Sequence, residues 1–198
     1  MHINNVEKSL EMFFHSLDHD GKQRSLRATS NNGLTWQVQP KPVSQIYLRI
    51  FRYKRKKDAL GWGGQILREN LLGIFELGPW TFGGQGHRHA DVLVNGEKLH
   101  VMWTRIGDAP ECIFHSTIDL ANYWRDWYGT EGKEILRSKF DRKCAHIPTS
   151  TSTVGGLTKQ EPALRDPHLF EESEEVYMIY AGADKVVFAL RKYFSDLA

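Results

Sequence analysis

An all-β fold assembled from about four repeated units is what this sequence predicts, and three observations predict it. Short runs of strand-forming residues alternate with turn signals, and no long helical periodicity competes with them. The pattern returns with a period of roughly 40 residues and four strand-like runs per unit. An arginine also recurs at a fixed place: Arg49, Arg88 and Arg165 precede the expected start of the next strand, at Ala59, Leu99 and Val176, by ten or eleven residues.

The first unit, about 1–42, holds "LEMFFHSL" and "QRSLRATS", then a turn at Asn31, Asn32 and Gly33 before Trp36. Leu10 is its equivalent of Leu99 and Val176, and counting back eleven places falls before Met1. The chain is therefore expected to begin inside a unit, with HINN as the tail of a first strand. The second unit, about 43–84, runs from "LRIF" through "DALGWGG" and "QILRENLLGIFEL", with Phe75 in the place of Trp36. The third, about 85–140, pairs "HRHADVLV" with "LHVMWTR" across an NGEK turn and continues into "CIFHSTIDL", with Trp124 or Trp127 in the aromatic place. The fourth, 163–198, opens on "ALRDPHLF", turns at EESEE and continues as "VYMIYAG". Residues 141–162 are rich in Thr, Ser, Gly and Pro and read as a long loop.

Repeated four-stranded units are the mark of a β-propeller. A Greek-key sandwich also uses short alternating strands, but the aligned arginines favour a propeller of about four units. A terminal unit with an unpaired strand edge would be a route to self-association.

Composition narrows the function. A net charge of +2 over 198 residues argues against general nucleic-acid binding, which needs a basic surface. The basic run 52–57 falls at a hairpin turn and reads as solvated. Two cysteines, Cys112 and Cys144, do not make a disulfide framework. No apolar run is long enough to span a membrane, and the first residues show no secretory signal, so the default location is cytoplasmic. No glycine motif of the phosphate-cradling kind precedes a helix, and no cofactor is expected.

The succession "YLRIF", "HRHADVLV", "MWTRIGDAPECIFHSTIDL" and "LRDPHLFEESEEVYMIYAGA" resembles the five-bladed propeller glycoside hydrolases, and more closely a branch related to their families 43 and 117. The resemblance runs from about residue 10 to about residue 190. It implies an incomplete five-bladed propeller, about one and a half blades short. It also implies a carbohydrate partner, held among carboxylates at inner strand ends. The early aspartate that acts as base in such families has no counterpart here, so hydrolysis by this chain alone depends on a missing segment.

Candidate residues follow from chemistry and from the resemblance together. Asp166, between Arg165 and Pro167, opens a strand where the charges either face a central cleft or form a structural Arg-Asp pair that closes the blade. An aspartate beside an arginine stays ionised and suits a role in orienting a sugar or tuning a neighbouring acid. Proline at a strand's first position ends pairing cleanly. His89 aligns with Asp166 and should face the same cleft, as a proton donor or a ligand for hydroxyls. His87, two residues before it, raises the thought of a metal, but no third ligand is placed by the sequence and no metal is expected. Asp108 and Glu111, in "TRIGDAPEC", are a carboxylate pair on a Gly- and Pro-bearing loop, with Glu111 a second candidate for the proton donor. Arg49, Arg88, Arg105 and Arg165 suit a hydroxylated or anionic ligand. Trp103, with Trp62 and Trp80, offers a flat face for a sugar ring, although packing is the commoner use of tryptophan.

Overall fold

The structure, a computed structural model, describes residues 2–4, 9–44, 47–83, 86–138, 148–154, 161, 163–173, 175–182 and 186–192. It is all-β: the described residues form fifteen strands and two short 3₁₀ turns, arranged as four antiparallel sheets. The first sheet contains β1 (His2–Asn4), β2 (Ser9–Leu17), β3 (Gln23–Ser30) and β4 (Gln37–Val38). The second contains β5 (Leu48–Tyr53), β6 (Lys56–Gly61), β7 (Gln65–Glu69) and β8 (Phe75–Trp80). The third contains β9 (His87–Asn95), β10 (Lys98–Arg105), β11 (Ile113–Asp119) and β12 (Lys133–Leu136). The fourth contains β13 (Leu164–Glu172), β14 (Glu175–Gly182) and β15 (Val186–Lys192). Within each sheet the strands follow one another in chain order, so every neighbour is reached by a local reversal.

Two details correct the sequence reading. β6 starts at Lys56, three residues before Ala59, because Lys54 and Arg55 both adopt positive φ (43° and 64°) and close a two-residue hairpin. The edge strand of the third sheet is Lys133–Leu136, not the segment around Trp124 and Trp127. Those tryptophans lie in and after a 3₁₀ turn (Trp124–Asp126), where both are buried in the core. Of the predicted loop 141–162, only 148–154 and 161 are among the described residues, and Cys144 is not.

The junctions between sheets differ in chemistry. The first and second sheets meet through a buried ion network: Lys57 Nζ lies 2.9 Å from Glu11 and 3.1 Å from Glu69, while Arg27 reaches both carboxylates at 3.2 Å. Lys57 is thus buried rather than solvated with the rest of the basic run. The second and third sheets meet through aromatic rings: Phe82, His87 and Trp103 stack on one another, with Phe114 behind Trp103. The third and fourth share an apolar layer that includes Met102, Ile113, Leu164 and Met178. These contacts bring β5, β9 and β13, the first strands of three sheets, side by side. No helix of the described residues is long and apolar enough to cross a membrane.

Candidate functional site

Along β9 and β13 successive side chains point to opposite faces, so Arg88 and His89 diverge, as do Arg165 and Asp166. One face turns into the junction between the third and fourth sheets. There Arg165 Nε donates to Glu111 Oε2 at 2.7 Å and Arg88 Nη1 donates to the same oxygen at 3.3 Å. Arg165 Nη2 also reaches Glu161 at 3.1 Å, and Arg88 Nη1 reaches the Thr153 carbonyl at 3.0 Å. All of these side chains are buried, and Glu111 is 0% exposed. This corrects three expectations. Glu111 has no surface to present to a substrate, and Arg88 and Arg165 spend their charge on it. They join Glu161 and Arg165 to β9 and to the loop before β11.

The opposite face carries His89 and Asp166. His89 Nδ1 lies 3.2 Å from Asp166 Oδ1, so the structure brings together the two residues that the repeat aligned. The Asp166 side chain is 52% exposed. Its backbone sits at φ 48°, a left-handed conformation rare outside glycine, where pairing with β14 slips out of register between Arg165 and His168. Burial lowers the pKa of His89; the nearby Asp166 carboxylate opposes that shift and the Arg88 guanidinium adds to it. Tyr47 completes this layer. Its ring is 6.1 Å from that of His89, its hydroxyl reaches the Ala90 carbonyl at 3.4 Å, and burial pushes its pKa up to about 12.

A second layer lies one step along the same strands, and the sequence reading missed most of it. Asp91 Oδ2 accepts the Leu169 N–H at 2.7 Å and lies 2.9 Å from His168 Nδ1. Asp91 Oδ1 is 3.6 Å from Arg49 Nε, which donates to the Ala90 carbonyl at 2.8 Å. The Arg49 guanidinium rests over the Tyr47 ring at 4.5 Å. A cavity of about 420 Å³ adjoins this layer, with Phe13 from β2, Arg49 and Ile50 from β5, Asp91 from β9, and His168 and Phe170 from β13 in its wall. Its size is within the range of small-molecule sites. The missed signal was alternation: Asp91 is two residues past His89, and His168 two past Asp166.

The remaining candidates lie elsewhere. Trp103 is 1% exposed and stacked in the core, with Nε1 donating to Ser116 at 3.0 Å, so it offers no face to a sugar. Trp62 and Trp80 are half-exposed on the second sheet. Arg105 donates to Asp108 at 2.9 Å and stacks on Phe114, which accounts for both members of that pair. His87 does not share the His89 environment: it stacks against both Phe82 and Trp103, and burial lowers its pKa to about 3.

With this geometry in hand, known proteins give a consistent picture of the fold. A thermostable family-43 glycoside hydrolase superposes with a TM-score of 0.65 at 14% identity, over 99% of this chain and 71% of that one. A family-43 β-xylosidase/α-arabinofuranosidase from a compost microbial metagenome, solved with xylotriose, superposes with a TM-score of 0.56 at 13% identity, over 88% of this chain and 61% of that one. Both are glycosidases of propeller-type fold, and at such identities the likeness speaks for the fold alone. In sequence, an uncharacterized protein of Acanthamoeba polyphaga mimivirus is 27% identical over 206 residues, 92% of this chain and 57% of that protein. The chain thus spans little more than half of that relative's length. No protein-family profile matches the chain.

Proposed function

We propose that this chain is an incomplete five-bladed propeller whose cleft binds a carbohydrate and hydrolyses its glycosidic bond by acid–base chemistry. The observation that carries the reading is the His89–Asp166 contact of 3.2 Å, two residues along β9 and β13 from the Asp91 and His168 of the cavity wall, with Asp166 held in left-handed backbone. Strained backbone of this kind gathers at functional sites. Asp166 is the fixed charge that orients the sugar and steadies positive charge developing at the anomeric carbon. His89 is the proton donor in place of the buried Glu111. Its lowered pKa makes the imidazolium a stronger acid, and places the donating form at acidic pH. The propeller-type glycosidases that share the fold support the substrate class.

Binding without turnover is the second reading, and one observation favours it. Glu111, a carboxyl that a two-carboxylate mechanism would use, is locked between arginines. One experiment separates the two. The protein is incubated with a panel of aryl glycosides of neutral pentoses and hexoses, and with xylotriose, while product release and heat of binding are followed. Release that disappears in Asp166→Asn supports hydrolysis. Binding without release supports the second reading, and neither binding nor release overturns both.

A further inference from the structure

We propose that His168, held by Asp91, is the base that takes a proton from water in the cleft, a catalytic residue that deepens the hydrolytic reading and rests on it. The imidazole is 61% exposed, yet one of its nitrogens is fixed: Nδ1 lies 2.9 Å from Asp91 Oδ2. That oxygen is itself anchored by the Leu169 N–H at 2.7 Å, and the other Asp91 oxygen faces Arg49. A buried carboxylate beside Nδ1 selects the tautomer protonated there and leaves the Nε2 lone pair for a ligand. Nε2 has no partner among the described residues, and His168 lines the 420 Å³ cavity. An imidazole oriented on one side by a carboxylate and open on the other can accept a proton at its free nitrogen.

His168 follows Asp166 by two residues on β13, across the register slip, and Asp91 follows His89 by two on β9. The step balances as follows. The water oxygen bonds to the anomeric carbon, and the water proton passes to His168 Nε2. The glycosidic C–O bond breaks with its electron pair on the leaving oxygen, which takes the proton of the His89 imidazolium. Both imidazoles then re-equilibrate with solvent, and the product is the inverted sugar. The charged groups around His168 are Asp91, Arg49 and Glu171 in the cavity wall, with Asp166 one layer away. Asp91 is the positioning residue: it touches the imidazole and the Leu169 backbone.

The test uses the whole chain and two readouts. Imidazole ¹H–¹⁵N spectra report the tautomer of His168, and aryl-glycoside hydrolysis reports kcat and its pH profile. The expected result is an Nδ1–H tautomer that mixes with the Nε2–H form in Asp91→Asn. In the same series, His168→Gln loses at least a hundredfold in kcat with KM little changed, and the basic species it removes vanishes from the pH profile. Asp91→Asn shifts that limb without abolishing turnover. A wild-type Nε2–H tautomer, or His168→Gln turning over at the wild-type rate, overturns the assignment while leaving the hydrolytic reading intact. A wild-type chain that binds xylotriose but cleaves no glycoside overturns both the hydrolysis and the base.

Discussion

Two dipeptides, Arg88-His89 and Arg165-Asp166, build two regions of opposite character from adjacent residues. The arginines turn into the sheet junction, where Glu111 and Glu161 satisfy them in the absence of solvent. The histidine and aspartate turn to the other face, where Asp166 is half-open to water and the mostly buried His89 lies against it and near the Tyr47 ring. On the junction side polar groups are paired and hidden, which fixes how the sheets meet. On the other side polar groups are exposed or held in strained backbone, at a cost in stability. In these two strands the arginine belongs to the sheet junction and the residue after it to the opposite face, whereas Arg49 itself lines the cavity.

The sharpest way to break this comparison is to empty the junction. Glu111→Ala leaves the buried Arg88 without its carboxylate and Arg165 with Glu161 alone, and breaking a buried pair from one side costs about 3 to 5 kcal/mol. Urea unfolding should show a loss of this size, with the fourth sheet the first to lose amide-exchange protection. Equal and small losses for Glu111→Ala and Asp166→Ala would mean that the two faces are not different in kind.

Acid tests the buried aromatic junction against both. His87 has its pKa lowered to about 3, and the half-buried His115, with a ring nitrogen 3.1 Å from that of the buried His100, to about 4. In the unfolded chain both titrate near 6.5, so between that pH and the folded values the unfolded state binds more protons. Stability must therefore fall as pH falls through this window. One such group contributes about 1.4 kcal/mol per pH unit, or about 2 kcal/mol between pH 6.5 and 5. His87→Phe should flatten the slope between these values in thermal melts across pH. Glu11 acts in a different window. Burial alone would raise its pKa, but Lys57, Arg27 and Arg52 outweigh that and lower it. Its contribution is present above the unfolded carboxylate range and lost only below it, so the histidine slope is read cleanly above pH 5. A curve that is flat from pH 6.5 to 5 would show that His87 is hydrated in solution.

How much of this was legible beforehand depends on which partner each residue needed. All-β architecture followed from turn spacing and strand alternation, which are local properties of the chain. His89 and Asp166 were legible as a facing pair because the repeat puts them at equivalent positions of neighbouring strands. Asp91 and His168 carried the same signal one step further, and went unread because an Asp in a strand and a His after a proline look ordinary singly. The fate of Glu111 was not legible. Its burial depends on Arg165, 54 residues away, and no spacing rule predicts that two arginines close on one loop carboxylate. Trp103 likewise owes its burial to Phe82 and His87, which come from another part of the chain.

The smallest effect is the most discriminating, because it asks whether the cleft gives up stability for its geometry. Asp166 sits at φ 48°, where a side chain is disfavoured and glycine is not. Asp166→Gly should therefore stabilise the chain, by about 1 kcal/mol if the strain is typical, while removing the charge beside His89. Asp166→Asn keeps a residue that tolerates the left-handed region and removes the charge alone. In both variants the pKa of His89 should fall further, since Asp166 is the principal group that holds it up. Thermal melts and an imidazole titration of His89 read the two effects separately. A less stable Asp166→Gly would place Asp166 with the scaffold arginines. A more stable one with a lowered His89 pKa would show that the cleft face, unlike the junction face, was shaped for something other than folding.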